Sequence, residues 1–349
     1  VASFLSILGL LGMPVGAYLI SLCARGATTS WAWAWMTVYV LLDLGCFSLV
    51  GNPRRARIQL GLGGALLCAL VGLRHVKNHP TGLGANVRLP ANTPGRWIGR
   101  LGEEADLGPM MVIAFGDFGA FRGEDVARAR PYLKQNYRRM RADPDFAPVP
   151  STLAANMLGM TSSADVETLV FNPPPEGRAG RAGRAIIFMH GAGPLFKLPC
   201  WMLARRMPDA MIVCPTVGLR GEWAHPDAAA AFQAVLSWTR ERSSAVYAVG
   251  WGTGGHGLLR LLNGNSLGHV SGMVLVSAYD ENYFDDVRRS GLPILILHGE
   301  QDNRTPAFRV EGLAGIDRVR NLEMPGDYFV FYEQEDIVLE EVDSFCGAH

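Results

Sequence analysis

From Ala164 to the C-terminus the chain repeats one pattern, a short apolar run rich in β-branched residues followed by a segment with helical spacing. The runs are Val166–Phe171, Ala185–Met189, Ala210–Cys214, Val246–Val249, Gly272–Ser277, Pro293–Leu297 and Arg320–Glu323. Short apolar runs alternating with helices predict a mostly parallel sheet with helices on both faces, because strands joined by helical crossovers are buried on both sides.

The other end of the chain is apolar in longer blocks: Ser3 to Cys23, Trp31 to Val50, and Ile58 to Leu73. About 20 helical residues cross a bilayer core, so the first two are long enough and the third is short. We expect a bundle of about three transmembrane helices over residues 1–77 and prefer it to a signal peptide, since no basic segment precedes the first block. Trp31, Trp33 and Trp35 fit an interfacial belt. Asp43 is read as a polar contact to a neighbouring helix, with a proton or ion pathway as the alternative. Gly61, Ala65 and Ala69, with Gly64, Cys68 and Gly72 beside them, form a small-residue stripe suited to close helix packing, within the chain or with a partner. Arg54, Arg55 and Arg57 balance Arg25, Arg74 and Lys77, so charge does not set the orientation.

Residues 78–163 read as a Pro/Gly-punctuated connector with one apolar run, Met110 to Phe115, and one helix-like stretch, Asp125 to Asp143. Arg138, Arg139 and Arg141 make that stretch basic, suited to headgroups, to acidic protein or simply to solvent. Residues 164–349 are the globular domain.

Composition narrows the function. The chain is 49% hydrophobic and 18% charged, so part of its surface is expected to face lipid. The first 77 residues carry six Lys/Arg against one acidic residue, leaving 26 against 31 for the remainder. That remainder has no basic stripe, which argues against a nucleic-acid partner. Cys23, Cys46, Cys68, Cys200, Cys214 and Cys346 are scattered without paired spacing; we expect no disulfide framework, no metal site, and a reducing compartment for the globular domain. The start at Val1 fits removal of a leader by an import pathway.

Four motifs in the second half resemble those of the α/β-hydrolase superfamily in order and spacing, over a bit more than half the chain. Phe188-Met189-His190-Gly191-Ala192-Gly193 resembles the oxyanion loop, whose small residues let a carbonyl approach backbone N–H groups. Val249-Gly250-Trp251-Gly252-Thr253-Gly254-Gly255 resembles the nucleophile elbow, with Gly252 where the family has its serine. His298-Gly299-Glu300-Gln301-Asp302, with Pro306 beyond, is similar to the acid loop, and Asp302 matches the triad acid. The segment Glu323 to Phe329 stands where the family has its histidine and offers Asp327. The resemblance implies an α/β-hydrolase-like sheet whose triad positions, Gly252, Asp302 and Asp327, lack both nucleophile and base.

The expected function is therefore a catalytically inactive, membrane-anchored accessory or structural subunit of a membrane complex, with an organellar inner membrane as the location. Its partners are membrane lipids and other subunits, and no cofactor is expected. A membrane-bound esterase or lipase, and a ligand-binding pseudohydrolase, are the alternatives. Thr253 offers an N–H to the remnant oxyanion loop formed with His190 and Gly191. His256 is read as a packed or capped residue, His190 and His225 as loop residues at the sheet end where family members bind substrate, Asp280 as a salt bridge or cap, and Trp251 and Trp223 as surfaces on which a ligand could stack.

Overall fold

The computed structural model describes residues 2–26, 29–77, 82–100, 102–174, 182–218, 223, 225–303, 310, 312–313 and 315–349. Val1, Asn78 and Pro306 lie outside the described residues, as do the side chains of Arg74 and Lys77.

All seven expected strands form. They are β3 (Val166–Phe171), β4 (Ala182–Met189), β5 (Ala210–Pro215), β6 (Ser243–Trp251), β7 (Gly272–Val276), β8 (Ile294–Gly299) and β9 (Val319–Met324). Two more come from the stretch expected to be a connector: β1 (Gly84–Leu89) and the short β2 (Thr93–Pro94). The sheet order is β2-β1-β3-β5-β4-β6-β7-β8-β9. From β5 to β9 neighbouring strands are parallel, whereas β3 is antiparallel to both β1 and β5. The sheet therefore begins at Gly84, not after Ala164.

Side chains alternate across each strand. Tyr247, Val249 and Trp251 of β6 and Leu295 and Leu297 of β8 face one core, while Val246, Ala248, Ile294 and Ile296 face the other. Helices α8 (Pro226–Arg240), α9 (Thr253–Asn263) and α10 (Phe284–Ser290) cover the second face. The first is covered by α7 (Lys197–Arg206) and the C-terminal α11 (Val330–Glu333) and α12 (Glu335–Ala348). Added to it are α4 (Glu104–Asp117) and α5 (Gly123–Ala142), inserted between β1 and β3, and the short α6 (Leu153–Met157) follows them. This is an α/β-hydrolase-like fold. The basic face of α5 is partly turned to acidic protein: Arg139 pairs with Glu335 at 2.9 Å and lies over the Trp201 ring.

Three helices precede the sheet: α1 (Ala2–Gly26), α2 (Ser30–Phe47) and α3 (Pro53–Lys77). Two of them, over Ser3–Gly26 and Pro53–Leu73, are long and apolar enough to cross a membrane. This corrects the expected three: α2, diluted by its tryptophans and Asp43, is not among them, while the third block, read as short, is a 25-residue helix. Asp43 and Tyr39 face α1, where Gly12 leaves room for the carboxylate and accepts the Tyr39 hydroxyl at its carbonyl, 3.0 Å away. The expected small-residue stripe is not what joins the helices. Gly9, Gly12 and Gly16 seat α2, and Gly63 meets Leu42, whereas Gly61, Gly64 and Gly72 have no atom near a would-be Cβ and Ala65 and Ala69 are exposed. The last turns of α1 dock on the domain: Leu22 and Cys23 enter its core, and Arg25 grips Asp117 through two 2.7 Å bonds.

The scattered cysteines predict no cross-link, yet Cys200 of α7 and Cys214 of β5 form a disulfide, their Cα atoms 6.5 Å apart. The pairing is set by α7 lying across β5, which spacing alone does not reveal.

Candidate active site and its filling

The elbow is intact as a backbone. Trp251 ends β6, Gly252 takes φ +52° and ψ −118°, and α9 starts at Thr253. Only a residue without Cβ adopts this conformation without strain. Its flanking glycines are required by contact: a Cβ on Gly250 would lie 2.6 Å from the Gly255 Cα, and one on Gly254 would lie 2.6 Å from the His190 carbonyl oxygen. The Gly252 N–H donates to the Val276 carbonyl at 2.9 Å, fixing the turn to β7.

What stands over the elbow is Tyr328. A Cβ added to Gly252 would run into the Tyr328 hydroxyl, with the ring carbons Cζ and Cε2 at 2.8 and 2.9 Å. Tyr328 is 2% exposed and stacks at 5.1 Å on Trp251, which in turn meets Phe329 and Tyr332. Phe121, from the loop between α4 and α5, closes this aromatic group against Tyr328 and Phe329. The Trp251 indole N–H donates to the Tyr328 carbonyl at 3.1 Å. Aromatic side chains thus fill the place where a nucleophile would point.

The acid and base loops do come together beside the elbow. Gln301 N–H donates to the Gly326 carbonyl and Glu300 N–H to that of Met324, both at 2.9 Å. Asp302 is 2% exposed. Asp327, at the histidine's place, is fully buried and committed: one oxygen accepts from the Arg128 Nε at 2.7 Å, the other from the Phe329 N–H at 2.8 Å. Arg128 also reaches Gln301 (2.7 Å) and Asp125 (3.1 Å), so Asp327 is part of a joint that holds α5 on the sheet. Burial, with the neighbouring Asp327 charge, pushes Asp125 above the usual carboxylate range, and burial does the same to Glu333.

Replacing Arg128 by Ala should therefore lower stability by about 2–3 kcal/mol, less than a fully buried pair would cost because the guanidinium is 43% exposed. Arg128→Lys should recover only part, since a single ammonium does not bridge three partners. Thermal unfolding in detergent measures both; an unchanged midpoint in the Ala variant would remove the joint.

The loop that resembles an oxyanion loop is equally committed. His190 is 2% exposed; its Nε2 accepts from the Val217 N–H at 3.0 Å, leaving Nδ1 to donate to the Gly191 carbonyl at 2.8 Å. Burial pushes its pKa down to about 4, so the ring is neutral at physiological pH. Gly191 is needed because a Cβ there would lie 2.7 Å from the Trp251 ring. Trp223, 2% exposed, donates its indole N–H to the His190 carbonyl at 3.0 Å. Neither Trp251 nor Trp223 offers the ligand surface expected of it; both are core.

The secondary candidates take the plainer roles. His225 caps α8, accepting the Asp227 N–H at 3.3 Å, and Asp280 caps the following turn through the Asn282 N–H at 3.0 Å. His256 lies on the first turn of α9, its N–H bonded to the Gly252 carbonyl. The Thr253 hydroxyl is buried and has no hydrogen-bond partner among the described residues. Among the described residues no group of His, Cys, Asp and Glu could hold a metal ion.

No family model and no curated protein matches the sequence. Solved structures with a partial likeness include a thermostable esterase (TM-score 0.40, 18% identity, 51% of this chain and 59% of that one). An esterase from Pyrococcus furiosus matches with TM-score 0.40 and 10% identity over 52% of this chain and 85% of its own. An α/β hydrolase enzyme from a deep-sea metagenome library matches with TM-score 0.39 and 10% identity over 52% and 94%. The strand order and the elbow, rather than these distant likenesses, carry the α/β-hydrolase-like fold.

Proposed function

We propose that this protein is a membrane-anchored, catalytically silent α/β-hydrolase-like protein that serves as an accessory or structural subunit of a membrane complex. One observation carries the silence: the Tyr328 side chain occupies the position into which a residue 252 nucleophile would project. Without nucleophile or base, such a site keeps at most the positioning and oxyanion contributions, about 10³–10⁴ over water where a triad has been dissected. Here aromatic packing takes that space too.

The anchor is supported by α1 and α3 and by apolar side chains they leave exposed, among them Phe4, Leu11, Ile58 and Leu62. The open stripe at Gly61, Gly64, Ala65 and Ala69 is where another subunit's helix would approach most closely. An organellar inner membrane remains our assignment of place. The Cys200–Cys214 disulfide favours its oxidising side for the globular domain, in place of the reducing compartment read from the scattered cysteines.

The test is twofold: native mass after gentle extraction from the source membrane, and turnover of short- and long-chain acyl esters by the purified full chain. A fixed-stoichiometry assembly with no turnover supports the proposal. A free monomer that hydrolyses esters, with activity lost in Thr253→Val, would replace it with the esterase reading, because the Thr253 hydroxyl next to the elbow glycine has no hydrogen-bond partner among the described residues.

A further inference from the structure

Where the apolar helices meet the globular domain, a cavity of about 190 Å³ opens between the start of α2 and helices α4, α5 and α7. Thr29 and Trp31 border it from the helix side, and Glu103, Asp106, Arg141 and Lys197 from the domain side. Two carboxylates and two cations surround this small space, and their pairing is uneven.

Lys197, 1% exposed, is fully engaged: its ammonium donates to the carbonyls of Ala147 (3.1 Å) and Val149 and pairs with Glu103 at 3.6 Å. Asp106 accepts the Thr29 hydroxyl. Arg141 is different. It is half-buried, donates one hydrogen bond, to the Ala105 carbonyl at 3.0 Å, and has no carboxylate within ion-pair distance among the described residues. Burial and the neighbouring Arg138 both work against its charge, and an anion at the guanidinium would reverse that penalty.

The level of the cavity narrows what that anion is. Trp31, Trp33 and Trp35 crowd the first turns of α2, next to the end of α1, and such rings favour the headgroup region. Exposed apolar side chains run along α1 from Phe4 to Ile20 and give out before this point. Taking the helices as membrane-spanning, on which this step rests, the cavity opens at headgroup depth.

We infer that the cavity holds the headgroup of a glycerophospholipid bearing a primary amine. Its phosphate sits on Arg141, its ammonium is met by the carboxylates of Glu103 and Asp106, and its acyl chains leave past Trp31 along α2. A zwitterion suits a wall of balanced charge. A purely anionic headgroup would bring a second negative charge beside these carboxylates with no ammonium of its own to offset it, and a trimethylated amine has no N–H to give them.

The test is lipid retention by the full chain reconstituted in vesicles of equal parts phosphatidylethanolamine, phosphatidylcholine and phosphatidylglycerol, then gently solubilised and weighed intact with its lipids. We expect the ethanolamine lipid to be kept about tenfold over each of the others, the worth of one charge-assisted contact. Arg141→Gln, which removes the contact to the phosphate all three lipids share, should lower retention of every one of them while still floating with the vesicles, and Asp106→Asn should narrow the margin over phosphatidylglycerol. Equal retention of the three lipids by the wild-type chain overturns the inference whether or not any variant folds, as does unchanged lipid retention in a folded Arg141→Gln. A chain that does not float at all sinks the membrane anchor and the cavity's ligand together; one that floats without preference sinks the ligand alone.

Discussion

Placing a serine at the elbow should break the protein rather than activate it: Gly252→Ser is expected to lower stability by about 4 kcal/mol and to produce no ester turnover. The strained backbone at φ +52° contributes about 1–3 kcal/mol once a Cβ is present. Forcing atoms into the space of Tyr328 adds about 1–3 kcal/mol of overpacking. Tyr328→Leu is destabilising by itself, because it opens a cavity beside Trp251 and Phe121. In the double variant the two costs should fall short of additivity by about 1–3 kcal/mol, since the removed ring is the one the new side chain strikes. Turnover should stay absent there too, as Asp327 is held by Arg128 and no imidazole replaces it. Thermal unfolding and ester hydrolysis of the four proteins decide the matter. A Gly252→Ser protein as stable as its parent would mean that Tyr328 does not fill the site, and measurable turnover would mean that the site is merely missing a hydroxyl.

The contrast between what was readable and what was not follows contact distance along the chain. Strands β3 to β9 announce themselves because each is buried on both faces, so every residue of a run such as Ile294–Gly299 must suit a core or a close turn. Strand β1, Gly-Ala-Asn-Val-Arg-Leu, lies between short β2 and β3 and buries only alternate positions in part, so its Asn86 and Arg88 read as loop. Helix α4 hides behind Gly108 and Pro109, although its acidic first turn is an ordinary start. The elbow was legible because its glycine spacing repeats a family motif, in which Gly252 answers the turn's own φ and Gly250 the nearby Gly255 backbone. Tyr328 over Gly252, Arg128 on Asp327 and Cys200 on Cys214 were not, because each pair is created by packing of separate elements. The residues that decide whether the site works thus belong to long-range contacts, and the inserted α5 supplies one of them, Arg128.

Glu104 shows how that insertion is bound, and it carries the other large expected effect. Its carboxylate, fully buried, accepts the N–H groups of Phe196, Lys197 and Leu198 at the start of α7 and the Tyr137 hydroxyl, at 2.5–3.0 Å. Glu104→Ala would leave four buried donors unmet, and at about 1–3 kcal/mol for each such group the loss should reach 4 kcal/mol or more, on the order of the whole stability of many domains. Burial pushes the acid up to about 7 against the pull of those donors. The folded-state pKa lies above the ordinary value of 4.5, so the folded protein holds the proton more tightly. The stability linked to it is fully present below about pH 4.5 and is lost as pH rises to about 7, a change on the order of 3 kcal/mol. Glu104→Gln removes the titration while keeping one acceptor oxygen. The difference in unfolding free energy between wild type and this variant should therefore shrink as pH rises from 4.5 to 7 and stay level above that. A difference that does not change with pH over that range would place the Glu104 proton elsewhere, and a Gln variant as stable as wild type at every pH would mean that α4 does not cap α7.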